Sequence, residues 1–222
     1  EPLRSVAAYM QLLERKYGND LCEEAREFVE QAAGGAQRMN RLIQDLLVYS
    51  RLAGQRVAPR PVNCEEVIQQ VRDDLHRSIQ SAGAIIRCEQ LPTVLGDRAQ
   101  IHQLFLNLLA NAIKFARPDE TPRVHIDAQR EAQRWLFSVR DRGIGFDQDQ
   151  AEVVFHAYKR LHSHQAYPGT GMGLAICKRI VEKHDGSIWV ESQEGKGTTF
   201  YFTLPAAAET ESTGASDADG GG

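Results

Sequence analysis

A glycine-rich segment that runs into an amphipathic helix is the part of this chain whose residues most directly suggest chemistry. It reads PGTGMGLAICKRIVEKHDG and begins at Pro168. Gly169, Gly171 and Gly173 allow the backbone to approach a ligand closely. The helix that follows would present free N–H groups and a partial positive charge to that ligand, which suits phosphate. The segment therefore predicts a phosphate-binding loop.

Two asparagines and a lysine share one face of a predicted helix in the segment NLLANAIKFA, residues 107–116. Asn107 and Asn111 are four residues apart, so their amides point the same way, and Lys114 lies on that side. Amide oxygens suit Mg²⁺, which binds few protein groups together with water and nucleotide phosphates. The alternative is ordinary helix-surface polarity. Apolar neighbours favour function, because the amides then border a buried face: Leu104, Phe105, Leu108, Leu109 and Ile113.

An acidic residue at the end of a predicted strand supplies a third element, in the segment DRGIGF. Asp141 can accept a hydrogen bond from an exocyclic amino group such as that of adenine, while Gly143 and Gly145 let a flat ring approach the backbone. The alternative is a strand-ending turn with an exposed aspartate. Together with the amides and the glycine-rich loop, this segment predicts that the chain binds ATP.

The first 56 residues predict two helices with a long apolar seam. In the first helix, apolar residues recur at intervals of three or four until the Gly-Asn-Asp sequence at 18–20. The second should run from about Cys22 to Ala53, with apolar or small residues alternating at four and three over nearly four heptads. Two helices cannot bury such a seam alone. A homodimer closed as a four-helix bundle is therefore favoured over contact with the rest of the chain.

Helices and strands alternate in the second region, residues 57–205, whose start is marked by Pro59 and Pro61. Asp97 is a plausible N-cap for the most apolar helix. The helices are predicted over 64–82, 97–116 and 172–184. The strands are predicted over 85–89, 123–130, 134–140, 187–192 and 198–204. This order predicts an α+β chain, a helical hairpin followed by a layered α/β sandwich.

Composition and charge limit the functions that the chain can have. The chain has 222 residues, with 26 Lys and Arg against 30 Asp and Glu, and the four acidic residues after position 205 account for the whole net charge of −4. The sequence has no stripe of basic residues that would indicate nucleic-acid binding. No apolar run reaches the roughly 20 residues of a membrane span. Scattered cysteines without a CxxC pair favour reduced thiols in the cytoplasm. Residues 206–222 are predicted to be a disordered tail.

Four segments in register resemble the N, G1, F and G2 boxes of sensor histidine kinases: NLLANAIKFA, DRGIGF, VVFHAYKRLHS and GTGMGLAICKRIVEKHDG. They cover about residues 62–205, and the hairpin at 1–56 is similar to the family's dimerisation and phosphotransfer domain. EPLRSVAAYMQLL and KRLHSHQAYPGTGMGLAICK are especially close to phytochromes. The resemblance implies phosphoryl transfer from ATP to a bundle histidine, then to an aspartate of a response regulator receiver domain. An upstream sensor, for which the phytochrome-like wording suggests a bilin-binding module, would control this transfer.

The resemblance implies roles at the phosphate end of the site. Asn111 would ligate Mg²⁺ with the help of Asn107, and Lys114 would contact phosphate. Arg160 is the candidate for the γ-phosphate. Gly169, Gly171 and Gly173 would wrap the phosphates, and Thr170 and Leu174 of the same segment would also contact the nucleotide.

At the base end, the resemblance implies that Asp141 binds the adenine amino group, with Gly143 and Gly145 shaping the pocket and Thr198 or Thr199 near the base. Phe155 and the segment to about Tyr167 would form a mobile lid. Core packing is an equal alternative for Phe155 and Tyr158. His162 and His164 are interpreted as exposed lid histidines without a metal.

The chain departs from the family's pattern at the phosphoacceptor. That histidine belongs to a box resembling H-D-L-Q-E-P-L, and this sequence starts at Glu1, so the histidine would lie four positions earlier. None of the seven histidines occupies an equivalent place. We expect the chain as given to bind ATP without accepting phosphate on its own bundle. Glu1 occupies a site linked in the family to phosphatase activity, which leaves the kinase-to-phosphatase balance open.

Two other functions make different demands on the sequence. ATPases of the gyrase, chaperone and mismatch-repair type carry a catalytic glutamate in the asparagine-bearing helix, whereas here Gln103 stands nearby and no acid lies between 98 and 118. A non-catalytic dimerisation or partner-binding module is the other alternative. The intact glycines and asparagine pair argue against it.

Overall fold

Two long helices form the N-terminal part of the computed structural model, which describes residues 2–18, 20–54, 58–161, 167 and 169–207. Helix α1 spans Pro2–Tyr17 and helix α2 spans Glu23–Gly54. They pack against each other, as the sequence pattern predicts. The predicted boundary at 56 and 57, Glu1 and most of the predicted tail lie outside the described residues.

The hairpin exposes much of its apolar surface in the single chain. Phe28 is 62% exposed, although its position in the seam calls for burial. The apolar residues that share this exposure are Val6, Tyr9, Leu12, Tyr17, Phe28, Met39, Ile43, Leu46 and Leu47. Apolar surface exposed to this extent is typical of a protein–protein interface.

The last turns of α2 behave differently, because they pack onto the second domain. Leu52 is buried in the main core, and Val48 and Tyr49 pack against it. The alternative of contact within the chain therefore holds for this end of α2, whereas Phe28, Met39 and Leu46 of the seam stay exposed.

A five-stranded sheet with helices on one face forms the second domain. The strands are β2 Ile85–Cys88, β4 Arg123–Glu131, β5 Arg134–Asp141, β6 Ile188–Gln193 and β7 Gly197–Pro205. Their order in the sheet is β2-β4-β5-β7-β6, with β2 and β4 parallel and the other pairs antiparallel. The helices are α3 Cys64–Asp74, α4 His76–Ala82, α5 Arg98–Lys114 and α6 Gly173–Lys183. The α+β architecture and the layered sandwich are confirmed.

The core lies between the sheet and α5. Phe105 of α5 meets Phe137 of β5 and Phe202 of β7 edge-on, at centroid distances of 5.8 and 5.6 Å. Asp97 caps α5 by accepting hydrogen bonds from the backbone of Ala99 and Gln100, as predicted. This packing fixes the helix that carries the asparagine pair.

Two features of the fold differ from the sequence prediction. The single helix predicted over 64–82 is two helices, because Leu75 leaves the helical range with ψ near 5°. A two-stranded sheet was not predicted, β1 Arg60–Asn63 paired with β3 Thr93–Gly96. No helix among the described residues has the length and apolar character needed to cross a bilayer.

Candidate functional site

A cavity of about 390 Å³ lies where α5, the end of β5, the loop before α6 and helix α2 meet. It gathers the three segments predicted from the sequence, which are far apart in the chain, together with part of α2. Of the predicted site residues that the structure describes, Gly143, Phe155, Tyr158 and Thr199 do not line it. Those that line it are Asn107, Asn111, Lys114, Asp141, Gly145, Arg160, Gly169, Thr170, Gly171, Gly173, Leu174 and Thr198.

Asp141, the last residue of β5, is held by two backbone donors. The N–H groups of Gly143 and Thr198 donate to its Oδ1 at 2.8 and 3.2 Å. Among the described residues no donor reaches Oδ2, which leaves that oxygen free to accept from a ligand. Burial raises the pKa of this carboxyl from 3.8 to about 6, although the two backbone hydrogen bonds partly oppose the shift.

The backbone beside Asp141 requires glycine at position 145. Gly145 has φ +61°, and a Cβ there would lie 2.1 Å from the carbonyl oxygen of Gln193. Apolar side chains complete this end of the cavity: Ile144, Phe146, Val154, Leu174 and Phe200. A carboxylate at the edge of an apolar slot suits a flat ring that carries an amino group.

The two asparagines of α5 have different surroundings. The Oδ1 of Asn107 accepts from the amide of Gln103 at 2.9 Å, and its Nδ2 donates to the carbonyl of Gly173 at 3.1 Å. Asn107 therefore ties α5 to the start of α6. Asn111 lines the same cavity, and its side-chain amide makes no hydrogen bond within the described part of the chain. Its oxygen is the better placed of the two to take an external ligand.

Two cations lie on the wall next to these amides. Burial and the nearby charge of Arg160 lower the pKa of Lys114 from 10.5 to about 8. Arg160 donates to the carbonyl oxygens of Tyr167 at 2.6 Å and of Gly169 at 3.2 Å. Two mutually repelling positive charges favour an anion between them.

The glycine-rich loop leads directly into α6. Gly171 has φ +76°, and its carbonyl accepts from the backbone N–H of Tyr158 at 3.1 Å. The hydroxyl of Thr170 accepts from the N–H of Met172 at 3.3 Å. Helix α6 begins at Gly173, which lines the cavity, and no side chain among the described residues caps it, so its first-turn N–H groups remain available to an anion there.

Several predicted site residues occupy supporting positions. Phe155 is buried and meets Phe200 edge-on at 6.2 Å, so here it packs in the core next to Val154, which lines the cavity. Gly143 supports Asp141 through its N–H, and Thr199 pairs with Arg140 in the sheet. His162 and His164, with the rest of 162–166, lie outside the described residues.

Two residues of α2, Arg41 and Asp45, line the cavity without having been predicted from the sequence. The Thr170 hydroxyl donates to Oδ2 of Asp45 at 2.5 Å, across 125 positions. In the sequence, Arg41 and Asp45 are simply two polar residues four positions apart beside the apolar seam of α2. Such pairs are common on helices and do not indicate a site. The contribution of these two residues depends on how α2 docks on the second domain.

The comparisons with known families agree with this geometry. The chain belongs to the family of histidine kinase-, DNA gyrase B-, and HSP90-like ATPases, whose model matches residues 96–208. Residues 1–55 match the His Kinase A (phospho-acceptor) domain. The chain thus carries the two domains of a sensor histidine kinase, which confirms the resemblance seen in the sequence.

Among its relatives are cyanobacterial phytochromes. The chain is 48% identical to cyanobacterial phytochrome A of Nostoc sp. strain PCC 7120 and 42% identical to the phytochrome-like protein Cph1 of Synechocystis sp. strain PCC 6803. Both matches cover 92% of this chain but only 27% of the relative. The chain therefore spans little more than a quarter of the length of these relatives.

Solved structures of histidine kinases share the fold. Full-length ShkA in complex with AMPPNP matches with a TM-score of 0.70 and 29% identity, over 93% of this chain and 44% of that one. The catalytic domain of the histidine kinase ThkA matches with a TM-score of 0.57 and 26% identity, over 66% of this chain and 95% of that one.

Proposed function

We propose that this chain is the output module of a sensor histidine kinase, which binds Mg-ATP and directs its γ-phosphoryl group to a histidine of the phospho-acceptor domain. The observation that carries the proposal is the single cavity that gathers Asn111, Asp141 and the glycine-rich loop. The matches to both kinase domains support the same reaction.

The base end of the cavity suits adenine. Oδ2 of Asp141 would accept from the exocyclic amino group, since the two backbone donors both use Oδ1. The ring would lie between Ile144 and Leu174, which line the slot. Thr198 holds the carboxylate in place through its backbone N–H. These residues bind and orient the nucleotide and take no part in the chemical step.

The phosphate end suits a magnesium triphosphate. Asn111 offers a neutral oxygen with no partner among the described residues, and Mg²⁺ prefers oxygen ligands. When bound, the ion would neutralise charge on the phosphate oxygens. Lys114 and Arg160 would hold the phosphates, and the first N–H groups of α6 would add further donors. The protein thus supplies position and charge, which dominate catalysis of phosphoryl transfer.

If the chain works as part of a complete sensor kinase, its other partners are a second copy of itself, a response regulator and an upstream sensor. The exposed apolar face of α1 and α2 would be buried in a homodimer, and a response regulator receiver domain would take the phosphoryl group from the histidine. An upstream sensor would control the bundle, and the phytochrome relatives favour a bilin-binding module. Because ATP and response regulators are found in the cytoplasm, we propose that compartment.

Thermal unfolding with and without nucleotide tests the proposal. A non-hydrolysable ATP analogue with Mg²⁺, at about 100 times its dissociation constant, should raise the Tm by about 5 to 10 °C. The same analogue with a chelator should give a smaller shift, since the metal site is then empty. No shift at millimolar nucleotide would overturn the proposal and favour a module that only dimerises.

The pH dependence of nucleotide affinity should have two limbs. Below about pH 6 the Asp141 carboxyl becomes protonated, so the ionised acceptor for adenine is lost as the pH falls through its pKa. Above about pH 8 Lys114 loses its proton as the pH rises through its pKa, and the attraction for phosphate weakens. Isothermal titration from pH 5 to 9.5 should therefore give the tightest binding between these values. Adenosine should show the acid limb only, because it has no phosphate for Lys114.

A further inference from the structure

A helix of the phosphotransfer hairpin reaches into the nucleotide cavity and contacts its glycine-rich loop. Asp45 of α2 accepts a hydrogen bond from the Thr170 hydroxyl, with 2.5 Å between the two oxygens. A hydroxyl–carboxylate distance of this size is typical of strong, charge-assisted hydrogen bonds. Val48, Tyr49 and Leu52, on the following turns of α2, pack against the core of the second domain and hold Asp45 in position.

The contact places a negative charge where the phosphates of a nucleotide are expected. Thr170 also accepts from the N–H of Met172, so the chain of hydrogen bonds from Asp45 leads to the start of α6. Asp45 and Asp141 are the two acidic residues among the described residues that line the cavity. Asp141 lies at the proposed base end, whereas Asp45 contacts the loop that would bind phosphate.

Four cationic residues surround the same space: Arg41, Lys114, Lys159 and Arg160. A carboxylate among them lowers the positive charge available to a triphosphate, and it engages a loop hydroxyl that a phosphate oxygen could otherwise use. The Asp45 carboxylate and a nucleotide phosphate would thus both bind the same loop, and one excludes the other.

We propose that Asp45 is a positioning residue that holds the glycine-rich loop on α2 in competition with nucleotide phosphate. Triphosphate binding and docking of α2 on the loop then oppose each other, and by linkage each weakens the other by the same factor. The occupied site would favour release of the loop from the hairpin. This inference deepens the proposed function and depends on it.

Nucleotide affinities of single and double variants test the competition in the full chain. Asp45→Ala should bind the Mg²⁺ complex of a non-hydrolysable ATP analogue about tenfold more tightly than the unchanged chain, a size usual for coupled sites. Asp45→Asn removes the charge but keeps an acceptor for Thr170, so its gain should be smaller. Adenosine affinity should not change, because adenosine does not reach the loop.

A double-mutant cycle separates the hydrogen bond from a general charge effect. In a Thr170→Val background, Asp45→Ala should give a clearly smaller gain than in the unchanged chain, because the bond is already absent and only the effect of charge remains. Glu30→Gln removes an equal charge from an exposed position on the same helix and should change nothing. Thermal unfolding without nucleotide checks that each variant is folded.

The outcomes distinguish this inference from the proposed function. If all variants bind the analogue with the affinity of the unchanged chain, the competition is refuted and nucleotide binding stands. An equal gain from Asp45→Ala with and without Thr170→Val also refutes it, because charge alone then explains the effect. Failure of every variant and of the unchanged chain to bind the analogue overturns both.

Discussion

Asn111→Asp should abolish Mg-ATP binding while the hairpin remains dimeric. The new carboxylate would face the triphosphate inside the cavity, and it would lie within reach of Lys114 one turn further along α5. The new carboxylate would repel the phosphates, and by pairing with Lys114 it would also neutralise a positive charge that attracts them. We expect a loss of at least about 100-fold in affinity, or about 2.7 kcal/mol.

Isothermal titration with a non-hydrolysable analogue measures this loss, and light scattering after size exclusion measures the dimer. Gln129→Glu is the matched control, because it adds one negative charge at an exposed position on β4. It should leave both quantities unchanged. Binding by Asn111→Asp at the affinity of the unchanged chain would refute the assignment of Asn111 to the metal and phosphate end.

The helices and strands that position the site could be predicted where neighbouring residues in the sequence determine them. Asp97 precedes a strongly apolar stretch, and an N-cap acts on amides two and three residues away, so both cap and helix follow from adjacent residues. The hairpin of β4 and β5 is also local, since a short turn joins two strands of suitable composition. Asp141 accordingly lies at the end of β5, as predicted.

Other features depend on contacts between distant segments. The pair of β1 and β3 joins Val62 to Val94, and each strand has only four residues, too few for a clear alternation. The break at Leu75 has no proline or glycine to mark it. Neither feature contributes a residue to the lining of the cavity, and missing them did not affect the predicted site.

The contribution of α2 to the cavity could not be predicted for the same reason. Asp45 and Thr170 are 125 residues apart, and neither has a local pattern that indicates the other. The heptad seam of α2 predicted a partner for its apolar face but not the way in which its final turns pack on the second domain. Interdomain docking, rather than secondary structure, therefore sets the limit of the sequence prediction here.

Asp141→Asn should reduce ATP affinity by about ten- to 100-fold and lower the preference for ATP over GTP, as expected when a buried hydrogen-bonding group is mismatched. Asparagine can keep an oxygen at Oδ1 for the N–H groups of Gly143 and Thr198, which places its NH₂ where Oδ2 now accepts. That NH₂ would oppose the amino group of adenine but suit the carbonyl of guanine. Titrations of both nucleotides into both proteins measure the change.

Stability measurements separate this loss of recognition from a loss of folding. The pKa of Asp141 is raised in the fold, so its contribution to stability is present below its ordinary pKa of 3.8 and is lost as the pH rises through about 6. At pH 7.5 the buried carboxylate is therefore unfavourable, and the neutral amide should unfold with a free energy at least equal to that of the unchanged chain. An unchanged ratio of ATP to GTP affinity in a stably folded variant would show that Asp141 does not recognise the base, and would remove the adenine end of the proposed site.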